Sequence, residues 1–209
     1  YPGTTNDEIY KKIKSKLKIG KNFFLGFSSE RINPGKNENS IQKIPKVVSG
    51  YSKNCLDIIS KFYSKSFNSI VKGKSIEIAE FSKLLENIYR SVNIGFINEM
   101  KILADKMNLD IFDVIELANT KPYGFRRFFP GPGVGGHCIP VDPSYLYWKS
   151  VKIGLPAKFI KLSADINILT LNFILKKIFK NLKNKKIFLS KSNILILGLS
   201  YKKNIDDIR

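Results

Sequence analysis

The sequence predicts an α/β fold that passes into a largely helical domain and then opens a second α/β unit. Three observations predict it. Short apolar runs suited to buried strands alternate with amphipathic stretches over residues 1–74. From Ser75 to residue 106 there is no proline and the apolar residues keep helical spacing. Near the end, SNILILGL at 192–199 reads as one more buried strand.

The opening YPGTTNDEIYKKIKSKLKIG starts on a Pro2-Gly3 turn. Thr5 and Glu8 stand at capping-box spacing, Ile9, Ile13 and Leu17 recur at helical spacing, and Gly20 ends the predicted helix. FFLGFSSE at 23–30 is strand-like and delivers Glu30 and Arg31 into the loop that follows. Ligands of parallel sheets collect at the carboxyl ends of strands, which makes Glu30 a site candidate. A lone Glu is more often a plain loop carboxylate. KIPKVVSG gives a further strand ending at Gly50. Residues 52–66 then form an amphipathic helix with Cys55, Leu56, Ile59, Phe62 and Tyr63 facing inward, Cys55 as a core residue.

The long helical pattern carries Ile78, Phe81, Leu84, Leu85, Ile88, Tyr89, Val92, Phe96, Met100 and Leu103. At 1.5 Å per residue it is about 45 Å long, more than a domain core spans, so it links two domains or forms a subunit interface. Polar residues interrupt it at Lys83, Asn87, Asn93 and Asn98-Glu99. Lys83 and Asn87 are four apart and share a side, where an ammonium and an amide could steady an oxyanion. A helix surface with a stray Lys and Asn is the commoner arrangement. Residues 111–119 form another amphipathic helix. Beyond residue 143, PSYLYWKSVKIG and residues 156–183 give two more, the second with Phe159, Leu162, Ile166, Leu169, Phe173 and Ile174 as its stripe. A polar hinge, the 192–199 strand and a basic loop with Lys202 and Arg209 close the chain.

Between these helices lies FFPGPGVGGHCIPVDP, residues 128–143, with four glycines and four prolines. Such density prescribes an irregular backbone. It contains Cys138 and the only histidine, His137. Asp142 before Pro143 reads as a helix N-cap, which would set Cys138 just ahead of a helix N-terminus, where a thiolate is favoured. Cys138 is therefore a candidate nucleophile. A free cysteine as inert filling is an equally common outcome for the residue alone. One histidine and two distant cysteines cannot make a zinc site. GPGVGG at 131–136 matches a dinucleotide fingerprint by letter only: no buried strand precedes it and no acidic residue follows at the right distance.

The 209 residues are 43% apolar or aromatic, a globular composition, and no apolar run is long enough to span a bilayer. Two distant cysteines and no signal peptide suggest a reducing, cytoplasmic setting. A start without methionine and a last strand without partners suggest an internal piece of a longer protein. The net charge of +19 is nearly all lysine spread through every segment, which reads as solvated surface; a basic nucleic-acid-binding module is the minority alternative.

Taken together, YPGTT at 1, SSERINPG at 28, AEFSKLLENIYRSVNIGFINEM at 79, GPGVGGHCIPVDP at 131 and ILILGLSYKKNIDDIR at 194 resemble the nucleotide-sugar 6-dehydrogenase family, which includes the UDP-glucose dehydrogenases. The subgroup acting on UDP-N-acetylhexosamines resembles the chain best. The resemblance implies the end of a Rossmann-type NAD domain over 1–74, a central helical dimerisation domain over 75–183, and the first strand of a Rossmann-like UDP-binding domain over 191–209. It implies a two-step oxidation of a C6 alcohol to a carboxylate by NAD, for polysaccharide biosynthesis.

Matched residue by residue, the resemblance makes Cys138 the thiol nucleophile and Asp142 its proton-handling carboxylate. Lys83 and Asn87 become the oxyanion pair, and Glu30 assists thioester hydrolysis. Substrate contacts fall to Lys202, Arg31, Gly135 and Arg127 (or Arg126), and a cofactor contact to Arg209. The pattern departs from the family at Pro34, where relatives carry a second glutamate, at Ser29 in place of proline, and at Val141, where some carry lysine.

Overall fold

The computed structural model describes residues 1–15, 17–32, 38–205 and 208. It divides into two compact units, Tyr1–Glu86 with Lys202–Ile205, and Asn87–Tyr201. The division falls inside the longest helix, between Glu86 and Asn87.

In the first unit the chain begins as a π-type helix, Thr5–Tyr10, that runs into one α-helical turn, α1 (Lys11–Ile13). The expected capping box is absent. Thr5 lies inside the helix, and its hydroxyl donates instead to Glu80 Oε1 at 2.6 Å. The same carboxylate accepts the Thr5 N–H (2.8 Å) and the Gly3 N–H (2.5 Å). Glu80 is only 5% exposed, and three donors satisfy a charge that burial would otherwise penalise. A tertiary carboxylate has thus replaced the local cap.

The sheet has three strands in the order β1 (Gly26–Ser28), β2 (Lys46–Gly50), β3 (Ile70–Lys72). β2 and β3 run parallel, but β1 is antiparallel to β2, with Gly26 opposite Gly50. Glu30 therefore follows an antiparallel edge strand, not the carboxyl end of a parallel one as expected. β3 was not legible, since only Ile70 and Val71 are apolar in a stretch of Ser, Lys and Gly. Helix α2 (Lys53–Tyr63) is capped by Ser52, whose side chain accepts from the Cys55 N–H. Cys55 is fully buried, as expected, but Phe62 is exposed. Lys46 is buried at the start of β2, where its ammonium donates to the Ser29 carbonyl (2.9 Å) and sits 5.1 Å from the Tyr63 and Phe67 ring centres.

Helix α3 runs Ile76–Lys106, the long helix the sequence predicts. The apolar residues of the predicted pattern divide between two sides. Ile76, Ala79, Leu84, Asn87, Ile88, Ser91, Ile97, Asn98 and Ala104 are buried, while Ile78, Phe81, Leu85, Tyr89, Phe96 and Leu103 form an exposed ridge. The helix is apolar on two sides, and one periodicity cannot say which side the chain itself covers.

In the second unit, Ile97 and Ala104 of α3 join Ile111 and Ile115 of α4 (Ile111–Asn119) in a small core, with Met100 and Phe128 against it. Asp110 caps α4 by accepting the Phe112 N–H. Helices α5 (Cys138–Lys152) and α6 (Lys158–Asn184) follow the glycine loop. The buried face of α6 is Ile160, Ser163, Ile166, Asn167 and Thr170; Phe159, Leu162 and Leu169 of the predicted stripe are exposed. Residues 192–198 carry no strand, and Leu195, Ile196, Leu197 and Leu199 are largely exposed. Among the described residues no helix is long and apolar enough to cross a membrane, and no cluster of metal ligands occurs.

Asp105 of α3 ties α6 in place, paired with Lys101 (2.5 Å) and with Lys177 of α6 (2.6 Å). Burial alone would raise its pKa, but the two ammonium groups overcome that and hold it below the ordinary carboxylate value. A depressed carboxylate stabilises the fold above its unfolded pKa near 4, and the contribution is lost as pH falls through the folded value. Lys177→Met should therefore cost about 1 kcal/mol in urea unfolding at pH 7, and nearly nothing at pH 2. Equal losses at both pH values would refute the pairing.

Candidate active site

The glycine loop is irregular up to His137, as its composition requires, but the helix begins earlier than the sequence suggests. Asp142 is not an N-cap. α5 starts at Cys138, with His137 as its N-cap residue making no side-chain cap bond. Pro140 then falls in the first turn, where its missing N–H costs nothing. Pro143 lies inside the helix and is buried, and Ser144 turns back to donate to the Val141 carbonyl (2.6 Å). Local propensity had argued for a start at Pro143; the tertiary hold on Asp142 outweighs it.

That hold is a hydrogen bond from Asn87 Nδ2 to Asp142 Oδ2 at 2.5 Å. Asn87 is buried on α3 and Asp142 half-buried, so the carboxylate is fixed from outside its own helix. Cys138 is exposed and lies one helical turn before Asp142, at the first position of α5. There the first-turn N–H groups of the helix lack partners within it. A thiol, a carboxylate one turn on and an amide bound to that carboxylate are thus brought together.

Upstream, Phe128 packs on the α3–α4 core and meets Tyr89 edge to face at 6.1 Å. The Gly131 N–H donates to Asn98 Oδ1 (2.9 Å), and Gly133 N–H to the Gly131 carbonyl (2.8 Å). Gly133 and Gly136 have φ of +89° and +86°, and a Cβ would meet the Asn167 carbonyl at 3.0 Å and the Tyr201 ring at 3.0 Å respectively. Both need glycine for conformation and for space. Tyr201 belongs to the basic loop after the 192–199 run, so that loop covers the residue just before His137.

The other expected residues lie as follows. Lys83 is half-buried on α3, one turn before Asn87. Glu30 is exposed, and its carboxylate accepts the Ile32 N–H at 2.5 Å. Arg31 pairs with Glu86 and donates to the Pro45 carbonyl (3.3 Å). Arg127 is exposed, pairs with Glu116 (3.2 Å) and stacks 5.6 Å from the Phe129 ring centre. Gly135 and Lys202 are half-buried. Arg209 and Pro34 lie outside the described residues. The residues the sequence did not single out as anchors are Asn98, Asn167 and Glu80. A signal existed for one of them: Asn98 stands eleven residues after Asn87, three turns of helix, and so on the same face.

Residues 77–168 match the model of the UDP-glucose/GDP-mannose dehydrogenase family, central domain. The chain carries that family's central domain. Protein CapL of Staphylococcus aureus is 38% identical over all of this chain and 50% of its own length. The UDP-N-acetyl-D-glucosamine 6-dehydrogenase of Pseudomonas aeruginosa is 34% identical, with the same coverage. A solved UDP-D-ManNAc dehydrogenase from Pyrococcus horikoshii superposes with a TM-score of 0.89 at 31% identity, covering all of this chain and 49% of that one. The chain thus spans about half the length of the curated relatives it matches.

Iodoacetamide near neutral pH should label exposed Cys138 at least about tenfold faster than buried Cys55. Equal slow rates would contradict the site geometry. Asn87→Ala should lower stability by about 1.5 kcal/mol, the scale of a hydrogen bond to a charged acceptor.

Proposed function

We propose that the protein containing this chain oxidises the C6 alcohol of a UDP-N-acetylhexosamine, UDP-GlcNAc first among them, to the uronate for polysaccharide biosynthesis. The observation that carries the reading is the arrangement of Cys138, Asp142 and Asn87: an accessible thiol at a helix start with an anchored carboxylate one turn away. The close relatives' names support the substrate class, and they include both the gluco and the manno acetylhexosamines.

In this reading the Cys138 sulfur bonds to C6 at the aldehyde level and forms a thiohemiacetal. Further oxidation makes it a thioester, and water then breaks the C–S bond to release the carboxylate. Asp142 exchanges the proton of the C6 oxygen and orients the water, while Asn87 and Lys83 offer donors to the developing oxyanion. Glu30 assists hydrolysis. Lys202, Arg31, Arg127 and Gly135 contact the nucleotide sugar, and the basic surface suits its diphosphate. NAD supplies the two-electron acceptor for each oxidation. The 131–136 glycines follow irregular chain rather than a strand, so they do not form its cradle; within this chain Arg209 is the residue assigned toward it. We place the enzyme in the cytoplasm with its substrates.

The exposed ridge of α3 supports a homodimer. Ile78, Phe81, Leu85, Tyr89, Phe96 and Leu103 recur at helical spacing over seven turns, more apolar surface than a monomer ordinarily leaves bare. Continuity of this ridge along one helix favours a second copy of the same helix against it.

The test is NADH release by the whole protein on UDP-GlcNAc, UDP-ManNAc and UDP-glucose side by side. Two NADH per uronate, with an acetylhexosamine preferred, is expected; no release on any of the three would overturn the reading. Cys138→Ser should lower turnover at least about a hundredfold. The 209 residues alone should be inactive. Leu85→Glu with Phe96→Glu should shift the protein from dimer to monomer in light scattering.

A further inference from the structure

Asn98 of α3 is fully buried. One turn earlier, Gly95 lies so near Ser163 of α6 that a Cβ would sit 3.2 Å from the Ser163 Cα. The Asn98 amide is used at both ends. Its oxygen accepts the Gly131 N–H at 2.9 Å, and its nitrogen donates to Asn167 Oδ1 at 2.9 Å. The orientation is forced. A backbone N–H can only donate, so Asn98 must face Gly131 with oxygen and Asn167 with nitrogen. Asn167 must then answer with its own oxygen. Its nitrogen is left buried, without a hydrogen-bond partner among the described residues.

Such an arrangement is a poor way to stabilise a helix crossing. Two buried amides with one orphaned donor are no better for stability than two apolar residues of the same shape. What the amides add is direction. They hold one backbone N–H at the start of the loop, seven residues before Cys138. From Gly131 the path is stiffened by Pro132, by the Gly131–Gly133 turn and by Gly136 against Tyr201.

We propose that Asn98 is a positioning residue for the Cys138 thiol. Its bond to the Gly131 N–H, aimed by Asn167, fixes the upstream end of the loop that presents the sulfur, as Asn87 fixes the downstream end through Asp142. The proposal rests on the catalytic reading of Cys138 given above, and it is tested through the thiol itself.

In the whole protein, Asn98→Leu fills the same space but cannot accept from Gly131, whereas Asn98→Asp keeps that acceptor. The readouts are the rate constant for Cys138 alkylation by iodoacetamide, and kcat against KM for UDP-GlcNAc. Asn98→Leu should change the alkylation rate at least about threefold. It should also lower kcat about tenfold or more with KM within about threefold, and Asn98→Asp should recover most of both. A folded Asn98→Leu protein with a wild-type alkylation rate overturns the proposal, whatever happens to kcat. If that variant does not fold, Asn167→Leu serves, which leaves Asn98 free to turn: a change of about twofold in alkylation supports the proposal and no change overturns it. Alkylation reports the surroundings of the thiol with or without turnover. Activity surviving in Cys138→Ser would therefore defeat the catalytic reading without touching this one.

Discussion

The hydrogen bond between Asn87 and Asp142 is the contact on which the candidate site turns. It reaches from one helix to another over 55 positions of sequence. It sets where α5 begins, because Asp142 is held as a helical residue rather than released as a cap. With α5 started at Cys138, the sulfur meets the open N–H end of the helix and the carboxylate lies on the next turn. The second amide of the same helix face, Asn98, bonds the other flank of the loop. Eleven residues separate the two amides, about 16 Å along a rigid rod, so the loop is spanned by an element that cannot easily change its length.

The long helix serves a different end on its outer side. A chain that leaves Ile78, Phe81, Leu85, Tyr89, Phe96 and Leu103 bare is organised for contact as much as for its own core. The exposed leucines and isoleucines of 194–199 and the outer face of α6 follow the same logic. The chain spans about half the length of the curated relatives it matches. The buried polar groups of the inner faces — Glu80, Asn87, Asn98, Asn167 — are nearly all satisfied by partners distant in sequence, which is how this chain specifies geometry with a modest apolar core.

Much of this was legible beforehand. The 31-residue helix followed from period and the absence of proline, the irregular loop from its glycines and prolines, and the core role of Cys55 from its helical position. The two misread helix caps share one cause. Thr5 and Asp142 were read as helix caps from their neighbours, and both side chains had been claimed by tertiary partners, Glu80 and Asn87. The antiparallel β1 could not be foreseen because a short apolar run has no direction in sequence. On α3 the period was legible, but a helix apolar on two sides does not announce which one the chain itself covers. Asn98 was visible as an interruption, yet its use depends on a loop 33 residues away.

The most direct test is chemical trapping. The whole protein, supplied with UDP-GlcNAc and NAD and quenched in acid during turnover, should yield a peptide in which Cys138 carries the mass of the uronyl thioester. The adduct should be missing from the Cys138→Ser protein. Steady release of the uronate with Cys138 found only as the free thiol would contradict the account.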